Sequence, residues 1–239
     1  MVCWRNGPSS PTIALAYAKS DTDPRILMPT ATLEEYLETI YKLSQDGPVR
    51  PGRIAEAMEV SGPTVTATLR RLESRGLVAR EGTAVVLTGD GATAALDIVR
   101  RHRVAERFLV DVLGLDWEAA HEDACLLEHA LSPRVLEALE RHLGDPAVCP
   151  HGHPIPAADG TLLHTPGRTL SDLSVGEAGL VIRVTEEDQT LGYLGRIGLK
   201  PGARVRLLAK EPFGGPLTLE IDGTAQPVSS EVAGLVTVG

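Results

Sequence analysis

The stretch Arg53-Ile-Ala-Glu-Ala-Met-Glu-Val-Ser-Gly-Pro-Thr-Val-Thr-Ala-Thr-Leu-Arg-Arg-Leu72 carries the clearest fold signal in this chain of 239 residues. Its first half predicts a short amphipathic helix. Ser61-Gly62-Pro63 then interrupts the chain and starts a second helix, because proline suits the first helical position. In that second helix Val65, Leu69 and Leu72 share the inward face, so threonine, alanine and arginine side chains face outward. Two short helices joined by a tight turn predict a helix-turn-helix.

The same region is locally basic within an acidic chain. The whole chain has a net charge of −9, yet residues 50–80 contain six arginines against three glutamates. Local basicity of this kind marks where a nucleic-acid surface could lie. Ala84–Thr88 resembles a strand and follows Gly82, which predicts a β-wing after the second helix. A three-helix core with a surface arginine patch is the alternative that this pattern leaves open.

Upstream of this region, residues 1–31 are rich in proline, serine and aspartate and predict a disordered extension. Met28 is an alternative start of the protein. Thr32 begins the first clear helix, and the Gly47-Pro48 pair ends it. Thr32 and Glu35 have the spacing of a capping box, which gives Glu35 a structural role as one interpretation.

Downstream, His121, Cys125, Glu128 and His129 lie within an arc of about 100° on one predicted helix. Imidazole, thiolate and carboxylate groups bind transition-metal ions. A second pair, His102 and Glu106, has i, i+4 spacing, so these two side chains can also point at one spot. The pattern predicts a metal site, and a charged solvated face with a buried cysteine is the alternative.

Residues 91–142 are predicted to be helical almost throughout, with breaks near Gly114 and at Ser132-Pro133. Their apolar positions exceed what one small domain needs, which predicts burial against a second copy of the chain. Residues 144–167 form a Pro/Gly linker that includes Cys149-Pro-His-Gly-His153. Its composition resembles that of a metal site, but the nearby prolines favour an extended connector. From Thr169 onward, five short strands and a helix near residues 188–194 predict a small β-barrel.

Composition excludes several classes of protein. No apolar run approaches the roughly 18 residues of a membrane span, and the N-terminus lacks the pattern of a secretory signal. Three scattered cysteines are too few for a disulfide framework, so a reducing cytoplasm is expected. The aromatic content of 3% argues against an apolar pocket for a small organic effector.

Several motifs occur in a fixed order between about residue 32 and residue 156. They are Glu35-Tyr-Leu-Glu-Thr-Ile-Tyr41, Arg53-Ile-Ala-Glu56, Ser61-Gly-Pro-Thr-Val65, Arg101-His-Arg-Val-Ala-Glu-Arg107, His121-Glu-Asp-Ala-Cys-Leu-Leu-Glu-His129 and Gly152-His-Pro-Ile-Pro156. In these motifs the chain resembles the metal-dependent transcriptional repressors of the diphtheria-toxin-repressor type. The co-occurrence of the motifs is far more specific than any one of them.

The resemblance implies a mainly α fold with additional β structure. It places a winged helix-turn-helix DNA-binding domain at 32–97 and a helical metal-binding and dimerisation domain at 98–145. The Pro/Gly-rich linker then covers 146–167, and an SH3-like (FeoA-like) barrel covers 168–239. The implied function is that of a cytoplasmic, metal-dependent repressor of metal-homeostasis genes. Such a protein acts as a homodimer on double-stranded operator DNA, without a membrane, a small organic substrate or enzymatic activity.

The resemblance also implies two metal ions per subunit. One site would use His102, Glu106, His121 and Glu187, and Thr190 or Gln189 stands at a further ligand position of the family. The other site would use Glu35, Cys125, Glu128 and His129. Glu38, one turn after Glu35, also matches the manganese-type members.

Ligand softness bears on which metal is bound. Carboxylates favour Mn(II), whereas the thiolate of Cys125 favours Fe(II) or Zn(II). Mn(II) is therefore the expected metal, with Fe(II) as the alternative and a zinc sensor as a further one. The residues that match duplex-contacting positions of the family are Thr32, Ser61, Pro63, Thr64, Thr66 and Arg71. Hydroxyl and arginine side chains mostly contact phosphates, which position the protein without specifying sequence.

Two other classes of function compete with this interpretation. A metalloenzyme could use the His/Glu/Cys cluster to activate water, but it would leave the helix-turn-helix pattern without a role. The other is a metal-independent winged-helix regulator that binds a small molecule, and the low aromatic content makes an apolar effector pocket less attractive.

Overall fold

The computed structural model describes residues 31–163, 165–186 and 188–239. The predicted extension lies outside the described residues except for Ala31. The alternative start Met28 and the predicted ligand Glu187 lie outside them as well.

The N-terminal part is a helix-turn-helix followed by a wing, as the sequence predicts. Its helices are α1 (Ala31–Ser44), α2 (Pro51–Ala57) and α3 (Gly62–Ser74). The wing is the antiparallel pair β1 (Val78–Glu81) and β2 (Ala84–Leu87). Because α1 begins at Ala31, Thr32 lies within the helix and not at its N-cap. The predicted capping box of Thr32 and Glu35 is therefore wrong. The core of this part is aliphatic apart from Tyr36; it includes Leu33, Leu37, Ile54, Val65 and Leu69.

Three further helices follow, and they break where the sequence predicts. They are α4 (Gly89–Asp111), α5 (Trp117–Leu127) and α6 (Pro133–Leu143). Hydroxyl oxygens of Thr88 and Ser132 accept hydrogen bonds from backbone N–H groups in the first turns of α4 and α6. Such capping groups satisfy N–H donors that have no partner within the helix. Arg100 of α4 binds Glu140 of α6 through two hydrogen bonds of 2.7 Å.

The C-terminal part is a six-stranded antiparallel sheet in the order β3-β8-β4-β5-β6-β7. Its strands are β3 (Arg168–Thr169), β4 (Ala178–Val184), β5 (Arg204–Lys210), β6 (Leu217–Ile221), β7 (Thr224–Val228) and β8 (Val236–Val238). Helices α7 (Asp188–Arg196) and α8 (Ser230–Gly234) complete it. The five predicted strands and the predicted helix are confirmed, whereas β3 and α8 are too short to leave a clear sequence signal. Trp117 of α5 packs into the core of this part.

The segment between α6 and β3 differs from the extended connector that its prolines favour. Val148 and Pro154 form an isolated antiparallel bridge, and a turn lies between them. Gly152 has φ +87°, and a Cβ atom there would lie 2.0 Å from the carbonyl oxygen of Ile182 in β4. The turn therefore packs directly on the sheet, and glycine is required at this contact because it has no Cβ.

Among the described residues, no helix has the length and apolar character needed to cross a membrane.

Candidate metal centre and nucleic-acid interface

The imidazole of His102, buried in α4, lies between two groups of donor side chains. Its Nδ1 atom is 2.7 Å from Glu128 Oε2. Its Nε2 atom is 3.0 Å from Glu106 Oε1 and 3.1 Å from His121 Nδ1. The i, i+4 spacing of His102 and Glu106 thus brings both to one spot, as predicted, and α5 adds His121.

Glu106 is fully buried and is the acceptor at the centre of this cluster. Its Oε1 atom lies 2.7 Å from His121 Nδ1 and 3.1 Å from His151 Nδ1. Its Oε2 atom is buried with no hydrogen-bond partner among the described residues. A buried carboxylate oxygen without a partner is costly, and a cation at this position would offset the cost.

The turn after α6 supplies donors that the sequence interpretation did not assign to a site. Cys149 Sγ lies 3.9 Å from Glu186 Oε1 and 4.0 Å from His151 Nδ1. Ligand atoms of Glu106, Cys149 and Glu186 lie within 4.8 Å of one another, as do those of Glu106, His121 and His151. The Cys-x-His spacing was the available signal. The nearby prolines, however, predict an extended chain, in which these donors would not meet.

The position of His151 is fixed by its surroundings. The side chain is fully buried, and its Nε2 atom lies 3.3 Å from the backbone oxygen of Trp117. The rings of Trp117 and His151 have centroids 4.7 Å apart and are tilted by 40° to each other. Contacts on one ring nitrogen of a ligating histidine orient the other toward the ion, and here Nδ1 faces Glu106.

The charges of the cluster are strongly coupled. Burial raises the pKa of Glu106, but hydrogen bonds with His102, His121 and His151 outweigh it and hold the pKa well below its usual value. Burial lowers the pKa of His102, but its hydrogen bonds with Cys125, Glu106 and Glu128 raise the value well above the usual range. The carboxylate of Glu106 and the imidazolium of His102 therefore stabilise each other in their charged forms.

For the Cys149 thiol, burial and the nearby negative charges act on the pKa in the same direction. Burial, followed by the negative charges of Glu106 and Glu186, raises the pKa of the thiol well above its usual value. Burial also raises the pKa of Glu186, but Arg103, His153 and Lys42 lower it to a value well below normal. Glu186 is thus an anionic donor facing a buried sulfur.

A second group of donors lies on the other side of His102. Ligand atoms of Glu38, His102 and Glu128 lie within 4.8 Å of one another, and so do those of His102, His121 and Cys125. The first-helix carboxylate that reaches this group is Glu38, not Glu35. Cys125 lies with His102 and His121 rather than with His129.

Glu35 and His129 lie at the edge of this group. The Glu35 side chain is 53% exposed, and its Oε1 atom is 3.9 Å from His129 Nε2. His129 Nε2 is also 3.3 Å from Glu128 Oε1. The predicted partners Glu35, Glu128 and His129 are therefore neighbours, and Cys125 Sγ lies 4.0 Å from Nδ1 of His102, a residue of the other predicted site.

The exposed face of α3 carries the predicted duplex contacts. Ser61 Oγ caps α3 and lies 2.8 Å from Thr64 Oγ1. Thr66 Oγ1 donates to the Gly62 carbonyl oxygen at 3.0 Å. Pro63 and Arg71 are exposed on the same helix, and Thr32 is exposed on α1. Exposed hydroxyls and an arginine on one face suit phosphate oxygens.

Comparison with known proteins gives matches along most of the chain. Residues 28–84 match the family described as "Iron dependent repressor, N-terminal DNA binding domain". Residues 88–157 match "Iron dependent repressor, metal binding and dimerisation domain", and residues 168–239 match "FeoA domain". The iron-dependent repressor IdeR of Mycobacterium tuberculosis is 38% identical, over 80% of this chain and 89% of its own length. The chain belongs to the iron-dependent repressor family.

Other members of the family are also similar. The diphtheria toxin repressor of Corynebacterium diphtheriae is 44% identical over 131 residues, which are 54% of this chain and 58% of that protein. Among solved structures, a manganese-dependent transcriptional repressor in complex with manganese has a TM-score of 0.79 and 37% identity, covering 86% of this chain and 98% of that one. ScaR with bound Cd²⁺ has a TM-score of 0.77 and 33% identity, covering 87% and 98%. The resemblance inferred from the sequence is confirmed, and the names of these relatives differ in their metal.

Proposed function

We propose that this member of the iron-dependent repressor family is a DNA-binding repressor activated by Mn(II), with Fe(II) as the alternative metal. The observation that carries the proposal is the buried Glu106 carboxylate, one oxygen of which has no partner among the described residues. Imidazole, thiol and carboxylate donors surround it. Membership of a repressor family favours this function over the metalloenzyme alternative.

The donors present fit two transition-metal ions per subunit. One ion would be held by Glu106, Cys149, His151 and Glu186, with His121 adjacent. The other would be held by donors from Glu38, Glu128 and His129, with His102 and Cys125 beside them and Glu35 at the edge. Carboxylates outnumber thiols in this set, and carboxylate oxygen suits Mn(II) better than the softer metals. When bound, the metal supplies positive charge that neutralises carboxylates drawn from separate elements.

The proposed metal ligands come from several elements, one of which, α1, belongs to the DNA-binding part. Glu35 and Glu38 lie on α1 beside the helix-turn-helix, His102 and Glu106 lie on α4, and Glu186 follows β4. A ligand set drawn from these elements fixes the position of α1, and therefore of α3, relative to α4. A repressor dimer must hold its two recognition helices about 34–36 Å apart to reach successive major grooves. Ordering this geometry raises DNA affinity.

Homodimer formation is supported by exposed apolar side chains on the helical part. Leu113 follows α4, Leu126 lies on α5 and Val135 lies on α6; they are 57%, 76% and 45% exposed. Exposed large hydrophobic side chains on these helices are consistent with a subunit interface.

The test is DNA binding at fixed salt, because ionic strength alone changes the affinity of any protein for DNA. A duplex would be selected from a random pool in the presence of Mn(II). Its affinity would then be measured by fluorescence anisotropy with Mn(II), with Fe(II) under anaerobic conditions, and with chelator. We expect the metal to raise affinity roughly 5- to 150-fold, the usual range of coupling between sites. Equal affinity in the presence of chelator would contradict the proposal.

Glu128→Ala should abolish the metal-stimulated part of DNA binding, because the carboxylate that faces both His102 and His129 is removed. The matched control is Glu122→Ala, at an exposed position of α5, the helix that Glu128 follows; it should respond to Mn(II) as the wild type does. Circular dichroism would establish that both variants are folded. Full metal stimulation in Glu128→Ala would count against the assignment of this site.

A further inference from the structure

Glu34 is a buried carboxylate that neither the capping nor the metal-ligand interpretation of α1 uses. Its side chain is only 7% exposed, whereas that of the neighbouring Glu35 is 53% exposed. Glu34 Oε1 accepts a hydrogen bond of 2.9 Å from Arg101 Nη2. Glu34 Oε2 lies 2.7 Å from His129 Nδ1. One carboxylate on α1 thus contacts both α4 and the residue just after α5.

Arg101 closes a ring of contacts around this carboxylate. Its Nη1 atom donates a hydrogen bond of 2.8 Å to the backbone oxygen of Glu128, the residue that precedes His129. The guanidinium is 7% exposed, and a buried arginine needs an anionic partner. Both oxygens of Glu34 therefore have a fixed partner, and the position of the carboxylate follows from Arg101.

The contact at Nδ1 determines how the imidazole of His129 presents its other nitrogen. A carboxylate paired with a guanidinium accepts hydrogen bonds, so in the neutral imidazole that binds a metal Nδ1 is the nitrogen that donates a hydrogen bond to Glu34. Nε2 is then left with its lone pair, 3.3 Å from Glu128 Oε1 and 3.9 Å from Glu35 Oε1. A carboxylate on the far nitrogen of a ligating histidine fixes its tautomer and ring orientation.

We propose that Glu34 is a positioning residue for metal binding, which orients His129 Nε2 toward the ion and is itself held by Arg101. The inference rests on the proposed function, because it takes His129 as a ligand. Glu34 acts through His129 and does not contact the ion. Since Glu34 lies on α1, the same contact transmits the position of His129 to the DNA-binding part.

Glu34→Gln is the sharpest test because it keeps the size of the side chain. In the carboxylate one oxygen faces Arg101 and the other faces His129 Nδ1. An amide has an oxygen at only one of these two positions, so it cannot accept at both. One of the two donors, Arg101 or His129, then faces the N–H₂ group of the amide. The hydrogen bond that orients His129 is weakened as a result. We expect the Mn(II) affinity of the site containing His129 to fall roughly 10- to 100-fold. Glu34→Asp, which retains two acceptor oxygens, should recover part of the loss.

The experiment measures Mn(II) binding to the full-length protein by equilibrium dialysis for wild type, Glu34→Gln, His129→Ala and the double variant. In the His129→Ala background, Glu34→Gln should cause no further loss. Glu122→Gln on the exposed face of α5 serves as the control and should bind as wild type does. With Co(II) in place of Mn(II), the visible ligand-field bands of Glu34→Gln should shift, which a change in stability alone would not cause.

The possible outcomes separate this inference from the function on which it rests. Unchanged affinity in Glu34→Gln, or an equal loss in both backgrounds, would overturn the positioning role alone. A rise in affinity would mean that Glu34 competes with the metal for His129, which also overturns it. If His129→Ala binds Mn(II) as tightly as the wild type does, His129 is not a ligand and the positioning role is overturned. The proposed function fails only if chelator leaves the DNA affinity of the wild type unchanged.

Discussion

At the scale of single residues, three glutamates of α1 have three different environments. Glu34 is buried against Arg101 and His129, Glu35 is largely exposed, and Glu38 reaches His102 and Glu128. The family motif implies Glu35 as a metal ligand, and Glu38 also matches the manganese-type members. A motif match aligns positions but does not show which side chains point inward. Glu34 carried no sequence signal of its own, because its role depends on an arginine 67 positions away.

The thiol of Cys149 should influence which metal is bound. In Cys149→Ser, a hard hydroxyl replaces a soft sulfur donor. We expect affinity for Zn(II) and Fe(II) to fall by at least about tenfold more than affinity for Mn(II), a difference of ~1.4 kcal/mol. Competition titrations with a chromophoric chelator would measure the three affinities. An equal loss for all three metals would argue that Cys149 supports the turn but does not select the ion.

At the scale of elements, the helices and strands follow closely from local patterns. The breaks at Gly47-Pro48, Gly114 and Ser132-Pro133 all separate helices in the structure. The turn that carries Cys149 and His151 could not be predicted in the same way. Prolines near it are compatible with an extended chain or with a tight turn, and only the contact of Gly152 with β4 selects the turn.

Gly152→Ala tests whether this turn places the donors. The new Cβ would clash with the Ile182 carbonyl, and alanine is strained at φ +87°. We expect the free energy of unfolding to fall by about 1–3 kcal/mol from the backbone strain alone, with weaker Mn(II) binding as His151 and Cys149 move. Thermal melting with chelator and dialysis with Mn(II) would measure the two effects.

Gly160→Ala is the matched control for this variant. Gly160 has φ +80° in the same segment, but a Cβ there would only approach Leu96 Cδ1 at 3.9 Å. It should lose stability from backbone strain and keep its Mn(II) affinity. If both variants bind Mn(II) equally well, the turn does not position the ligands.

At the scale of the whole molecule, the helical part exposes the apolar side chains of Leu113, Leu126 and Val135. Nothing described within one chain covers them. Leu126→Glu places a charge at the most exposed of the described leucines on α5. We expect the protein to shift from dimer to monomer in sedimentation velocity, because burying an unpaired charge in an interface is costly. DNA affinity should fall as well, since one subunit reaches only one half-site.

Leu163→Glu provides the comparison, because Leu163 is similarly exposed at 73% but lies in the segment before the barrel. It should remain dimeric. Dissociation of both variants, or of neither, would place the subunit interface elsewhere.

The sequence by itself determined the helix-turn-helix, the wing, the helical part, the strands of the barrel and the family. These features follow from hydrophobic periodicity, turn residues and motif order, which are local properties of the chain. Donors on one helix, such as His102 and Glu106, could also be grouped by helical spacing. Only the tertiary structure decided that Glu34 meets Arg101 and His129, and that Cys149 and His151 meet Glu106. Distances between residues tens of positions apart are set by how the elements pack, and local patterns do not contain that information.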